Sequence, residues 1–257
     1  MEQLLNLMLI GSKYIHKDPG IHKDFKHITL DAWSEGSEQR NHVDSLLEEL
    51  KLQGKVVHGH NILDKRYRPK VQDLEELLSW VRTKVLGVSG IHSWDVLNEM
   101  LGIFPDRWLL AVLEEMRNLQ PNSLLFWNEY ALKNRDYWNQ VMQLAEIAKQ
   151  RGILDGLGIQ RHIDIRGKLP YSAVTKPAHA LECHLKSWTT EKRLVHEINR
   201  IHELELLCHI SEISIVCFPG QEDVAQSFLD SLIRIAEKAG SWKATMWGVP
   251  IIKVIAR

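Results

Sequence analysis

The stretch I-H-S-W-D-V-L-N-E, residues 91–99, begins as a β-branched and aromatic run and ends on a polar pair, Asn98-Glu99. The apolar opening reads as a strand, and the closing pair sets an amide and a carboxylate at its end. A second stretch, C-H-I-S-E-I-S-I at 208–215, holds Glu212 in similar surroundings. A carboxylate inside an apolar strand is costly unless it is paired or used. Both acids therefore need an explanation at the level of the fold.

Outward from residues 91–99, strand and helix patterns alternate. Upstream, Leu4–Ile10, Phe25–Ala32 and Lys55–Leu63 read as strands, and apolar residues recur at helical spacing over His42–Leu52 and Val71–Val85. Downstream, Pro105–Asn118, Tyr137–Arg151, Thr190–Leu204 and Glu222–Ala239 read as helices, while Ser123–Ala131, Gly156–Ile163, Leu206–Ile215 and Ala244–Pro250 read as strands. Gly54, Gly152 and Gly240 stand where helices end. Pro170 and Pro177 argue against a central strand in the loop between them. Alternation of this kind implies parallel strands joined by right-handed crossovers. With 257 residues, the expected fold is α/β, a single (β/α)8 barrel domain spanning 1–257, with a weak first unit and a shortened C-terminal end.

A formal net charge of −1 offers no electrostatic case for nucleic acid or an anionic membrane. No apolar run approaches the ~18–20 residues of a membrane span. The start, M-E-Q-L-L-N-L-M-L-I-G-S, carries an acid where a signal peptide is basic, so no leader is expected in the chain as it stands. Cys183, Cys208 and Cys217 show no C-x-x-C spacing and read as buried free thiols.

In such a barrel the site lies at the C-terminal ends of the strands. Polar residues fall there repeatedly: His58 and His60, Asn98 and Glu99, Asn128 and Tyr130, Gln160 and His162, Glu212, and Trp247. Alternation places His58 with His60, Asn128 with Tyr130, and Gln160 with His162 on shared faces. Two carboxylates facing one cleft are the minimum equipment for glycoside hydrolysis.

These residues resemble a known family. W-D-V-L-N-E at 94–99 resembles the W-D-V-V-N-E acid/base motif of glycoside hydrolase family 10, the retaining endo-β-1,4-xylanases. In order along the chain, G-H-N-I-L at 59–63 is similar to that family's G-H-T-L-V, and P-N-S-L-L-F-W-N-E-Y at 121–130 to its P-N-A-K-L-Y-I-N-D-Y. D-G-L-G-I-Q-R-H-I at 155–163 is similar to D-G-I-G-F-Q-S-H-L, I-S-E-I-S-I at 210–215 to I-T-E-L-D-I, and M-W-G-V at 246–249 to F-W-G-V. The resemblance implies hydrolysis of xylan or a related plant polysaccharide by a two-glutamate double displacement, with Glu212 as nucleophile and Glu99 as acid/base. It implies that Asn98 holds the sugar 2-hydroxyl, that His60 bonds a hydroxyl beside it, and that His162 orients the nucleophile. Gln160, Asn128 and Tyr130 become supporting ligands, and Trp247 a wall of the subsite. The implied partner is an oligosaccharide or polysaccharide, with no metal or organic cofactor, and the implied location is extracellular.

The chain also departs from that pattern as a divergent, shortened member. Asp64-Lys65 replace the motif's Trp-His, Ser214 replaces the Asp of the nucleophile strand, and I-T-P-E-N-E-M-K-W is shortened to I-T-L-D-A-W at 28–33. Two other readings follow from the residues. One is a barrel that binds glycan with little or no cleavage. The other is a metal-dependent amidohydrolase-like barrel using His58, His60, His162 and His209; regular alternation weighs against it by setting His209 and Glu212 on opposite faces.

Overall fold

The computed structural model describes residues 7–11, 27–31, 37–129, 135–164, 190–217, 223 and 251–254. Among them, eight strands form one parallel sheet in sequence order. They are β1 (Leu7–Gly11), β2 (His27–Asp31), β3 (Val56–Asp64), β4 (Ser93–Asn98), β5 (Leu124–Glu129), β6 (Gly156–Asp164), β7 (Leu207–Cys217) and β8 (Ile251–Val254). The helices are α1 (Ser37–Leu52), α2 (Leu74–Val85), α3 (Asp106–Leu119), α4 (Arg135–Gln150) and α5 (Thr190–Glu203). Sequential parallel order with helical crossovers is the (β/α)8 barrel expected from the alternation. The last described strand begins one residue beyond the expected Ala244–Pro250; that stretch, the expected helix at 222–239 apart from residue 223, and Cys183 lie outside the described residues.

The helices form where apolar residues recur on one face, and that face is what they bury. In α2 the buried residues are Leu77, Val81 and Val85, and in α3 they are Leu109, Leu110, Val112, Leu113 and Met116. Asp73 caps α2 by accepting from the backbone N–H of Glu76 at 2.9 Å. Gly54 and Gly152, expected as helix ends, adopt φ of 66° and 70°, the left-handed turn in which a Cβ is penalised. Cys208 is a buried free thiol, and burial pushes its pKa well above the ordinary value.

The outward side of the sheet is packed without slack. Gly59 on β3 pairs with Trp94 on β4, and a Cβ at Gly59 would lie 2.3 Å from the Trp94 ring. Trp94, Leu97 and Trp127 are fully buried there. Trp138 is also buried, while Trp108 stacks on Phe104 with centroids 5.8 Å apart.

Three strands carry a register shift: β3 between His60 and Leu63, β4 between Asp95 and Leu97, and β7 between Ile210 and Glu212. An extra residue in a strand breaks the two-residue alternation of its side chains. In β4, Asp95 pairs with Phe126 and Asn98 with Asn128. Phe126 and Asn128 are two apart and share a face, so Asp95 and Asn98 share it too, although they are three apart. In the backbone of β7, His209 lies opposite Gly158 and Glu212 opposite Gln160, with one extra residue at Ser211 between them.

Candidate active site

The inward residues at the ends of β3–β6 form one buried hydrogen-bonded network. At its floor, Asp95 Oδ2 lies 3.0 Å from His58 Nε2 and 3.0 Å from His60 Nδ1. Ser93 Oγ stands 2.7 Å from His58 Nδ1. The amide of Asn61 donates to His60 Nε2 at 2.9 Å and to Asp64 Oδ2 at 2.9 Å. That donor makes Nε2 of His60 the acceptor, so Nδ1 carries the proton and donates to Asp95. Both ring nitrogens of His60 are therefore engaged by protein groups.

Above this floor stands Asn98, buried, with its amide fixed in one orientation. Its Oδ1 accepts from Asn128 Nδ2 at 2.8 Å and from Gln160 Nε2 at 2.8 Å. Its Nδ2 donates to Asp64 Oδ2 at 2.7 Å. Two amide donors on one side and a carboxylate on the other leave no choice of flip. Nδ2 keeps one further hydrogen, while the oxygen has both lone pairs occupied. Oε1 of Gln160 and Oδ1 of Asn61 are buried with no hydrogen-bond partner among the described residues.

Asp64 stands where the motif has Trp, and it is buried. Burial alone would raise its carboxyl. The hydrogen bonds from Arg66, side chain and backbone, and from Asn98, together with the Arg66 charge, bring it below the usual Asp range. Asp64 is thus ionised at neutral pH.

Glu99 follows directly, partly exposed, with a φ of 56°. The other described non-glycine residue with positive φ, Glu205, ends α5 in a turn closed by Leu206 N donating to Ile201 O. Glu99 ends a strand and has no such cap to account for it. A left-handed residue of this kind costs ~1–3 kcal/mol, and such outliers gather at functional sites. The turn is held by Glu99 N donating to Asn128 O at 3.0 Å and Ile103 N to Met100 O at 3.0 Å.

Of the expected site residues, His60, Asn98, Glu99, Asn128 and Gln160 gather at this end of the sheet. Tyr130 and Trp247 lie outside the described residues, and of His162 and Glu212 only the backbone is described. Register sets Glu212 opposite Gln160 and His162 opposite Ser214. Asp95 and Glu129 were not picked out by the sequence reading. Asp95 was hidden by the register shift. Glu129 was legible only as the neighbour of Asn128, on the face that alternation turns away from the site. Among the described residues, no group of three or more His, Cys, Asp or Glu is arranged to hold a metal ion.

Comparison with known proteins agrees with this geometry. The profile described as "Glycosyl hydrolase family 10" matches residues 30–249. Endo-1,4-beta-xylanase A of Thermotoga neapolitana is 26% identical over 153 residues, covering 48% of this chain and 14% of that protein. The Thermotoga maritima protein of the same name is 23% identical over 150 residues, again 48% and 14%. The chain thus spans about a seventh of the length of these curated relatives. Among solved structures, native xylanase 10B from Thermotoga maritima superposes with a TM-score of 0.70 at 18% identity, covering 96% of this chain and 85% of that one. Xylanase 10B from Thermotoga petrophila, in complex with xylobiose, gives 0.67 at 16% identity over 95% and 83%. These likenesses establish the barrel fold.

Proposed function

The chain belongs to glycosyl hydrolase family 10, and from that premise we propose that it is a retaining glycoside hydrolase acting on β-1,4-linked xylan or a related plant polysaccharide. The observation that carries this reading is the amide array across β4–β6. Gln160, the register partner of Glu212, donates to Asn98, the residue before Glu99. One short relay therefore runs from the register partner of Glu212 to the residue before Glu99.

In the proposed reaction the Glu212 carboxylate attacks the anomeric carbon. A bond forms to that oxygen as the glycosidic bond breaks, and the leaving oxygen takes the proton of Glu99. Water then attacks the glycosyl-enzyme, gives its proton to Glu99, and releases Glu212 with overall retention. Retaining enzymes hold the two carboxyls ~5–5.5 Å apart, so the ionised nucleophile keeps its partner protonated until the intermediate forms. The remaining Nδ2 hydrogen of Asn98 is suited to the sugar 2-hydroxyl, and the open acceptor on Gln160 to a hydroxyl proton.

One observation favours a second reading, a barrel that binds glycan and turns it over slowly. Asp64 sits where the motif has an aromatic platform, and it engages Asn98 itself. Incubation with a 2-fluoro xylobioside followed by peptide mass spectrometry tests the first reading. It predicts a label on Glu212; a label on any other residue overturns it. Saturable xylo-oligosaccharide binding with no product at high protein concentration favours the second.

A further inference from the structure

On the outward face of β5, Glu129 is buried, and three donors among the described residues reach its carboxylate. They are Trp127 Nε1 at 3.0 Å, the Leu101 backbone N–H at 3.1 Å, and the Tyr137 hydroxyl at 2.5 Å. Every one of these partners is a donor, which is the set an ionised carboxylate accepts. Leu101 lies two residues after Glu99, inside the turn that continues through Gly102 at φ 76° and closes with a bridge between Leu101 and Phe104. Glu129 therefore grips that turn from below, while the adjacent backbone carbonyl of Asn128 holds Glu99 itself. Tyr137, on α4, fixes the second carboxylate oxygen. Its phenol is pushed well above its ordinary value by burial, by the Glu129 charge and hydrogen bond, and by the charge of Glu99. The motif that this strand resembles has Asp here, one methylene shorter than Glu129.

We propose that Glu129, oriented by Tyr137, is a positioning residue for Glu99: it pins the left-handed turn so that the Glu99 carboxyl stays in line with the leaving oxygen. The inference rests on the reading of Glu99 as the acid. Glu129 touches no substrate, and its effect reaches the reaction through the backbone of residues 99–101. A misplacement of about 1 Å at a reacting group costs roughly a hundredfold in rate, so loosening this anchor falls on proton transfer first.

The test compares phenyl and dinitrophenyl β-xylobiosides, of which only the phenyl leaving group needs its proton. Glu129→Gln leaves an amide N–H facing a donor and is expected to lower kcat/KM on the phenyl glycoside by about ten- to a hundredfold. On the dinitrophenyl glycoside kcat/KM should stay within about threefold, because its bond cleavage needs no proton. Glu129→Asp should recover part of the lost selectivity. Tyr137→Phe keeps the ring and should shift the ratio of the two rates in the same direction by less. Equal loss on both glycosides, or a Glu129→Asp protein no better than Glu129→Gln, overturns the proposal. If Glu129→Gln does not fold, an unchanged ratio in Tyr137→Phe overturns it. Glu99→Ala separates the two claims. Selective loss there with none in the Glu129 and Tyr137 variants sinks the positioning role alone. Equal loss in Glu99→Ala, or a parent protein that turns over neither glycoside, sinks the acid assignment and this inference with it.

Discussion

On β5 the side chains of Phe126 and Asn128 turn into the barrel, and those of Trp127 and Glu129 turn out toward α4. Inside, Asn128 joins a chain of amides, histidines and carboxylates bonded from strand to strand. Outside, one carboxylate gathers an indole, a backbone N–H and a phenol amid close-packed apolar side chains. The amides of this network fix orientation without adding charge of their own, beside the carboxylates of Asp64 and Asp95. A carboxylate surrounded by donors fixes position and keeps its charge. The inner face therefore suits the gripping of neutral hydroxyls, and the outer face suits the anchoring of a loop. Changes inside should fall on rate, changes outside on stability, with Glu129 as the stated exception.

The largest expected effect is at Glu212. Glu212→Ala should abolish turnover while leaving the melting temperature nearly unchanged, and azide should partly restore cleavage of an activated glycoside as the inverted product. Rescue that yields only retained product removes Glu212 from the nucleophile role. Next, Glu99→Ala should cost ~10²–10⁴-fold on a phenyl glycoside and far less on a dinitrophenyl one, read as kcat/KM for the pair. On the outer face, Gly59→Ala drives a methyl into the Trp94 ring and should cost ~1–3 kcal/mol in denaturant unfolding. Its kcat should stay within a few-fold of the parent; a drop in kcat with unchanged stability breaks the division between the faces.

An effect of similar size crosses the two categories and fades in acid. Asp64→Asn keeps the shape but presents an amide to the donors of Asn98 and Arg66, and should cost ~1–3 kcal/mol at neutral pH. The Asp64 carboxyl lies below its unfolded value, so its contribution is present above the ordinary Asp pKa of ~3.9 and is lost as pH falls through the lower folded value. The parent and Asp64→Asn stability curves should accordingly converge in acid. A gap that stays constant down to low pH shows that Asp64 is not the titrating partner.

Much of this was readable from residue order. The alternation of apolar strands and amphipathic helices identified the barrel because each pattern records which face is buried, and Gly54 and Gly152 ended helices as their lack of a Cβ allows. Asn98, Glu99, Asn128 and Gln160 stood out as candidates because polar side chains at strand ends call for a reason such as a site. What stayed hidden depended on register. Period-two counting separates Asp95 from Asn98, so the carboxylate that organises His58 and His60 went unnoticed. Counting likewise dismissed Glu129 as an outward residue, because the donor it holds, the Leu101 N–H, belongs to a turn whose path no local pattern encodes. Asp64 was visible as a departure from the motif, but its burial and its hold on Asn98 come from the register shift in β3.

The shift in β4 works like a change of reading frame. Before it, odd-numbered residues 93 and 95 face the barrel axis; after it, the even-numbered Asn98 does. Paired as a regular pleat at its present length, the strand would turn Asn98 onto the helix side and carry the turn of Glu99 with it, although neither residue is altered. The extra residue is thus as much a part of the candidate site as the identity of its acids.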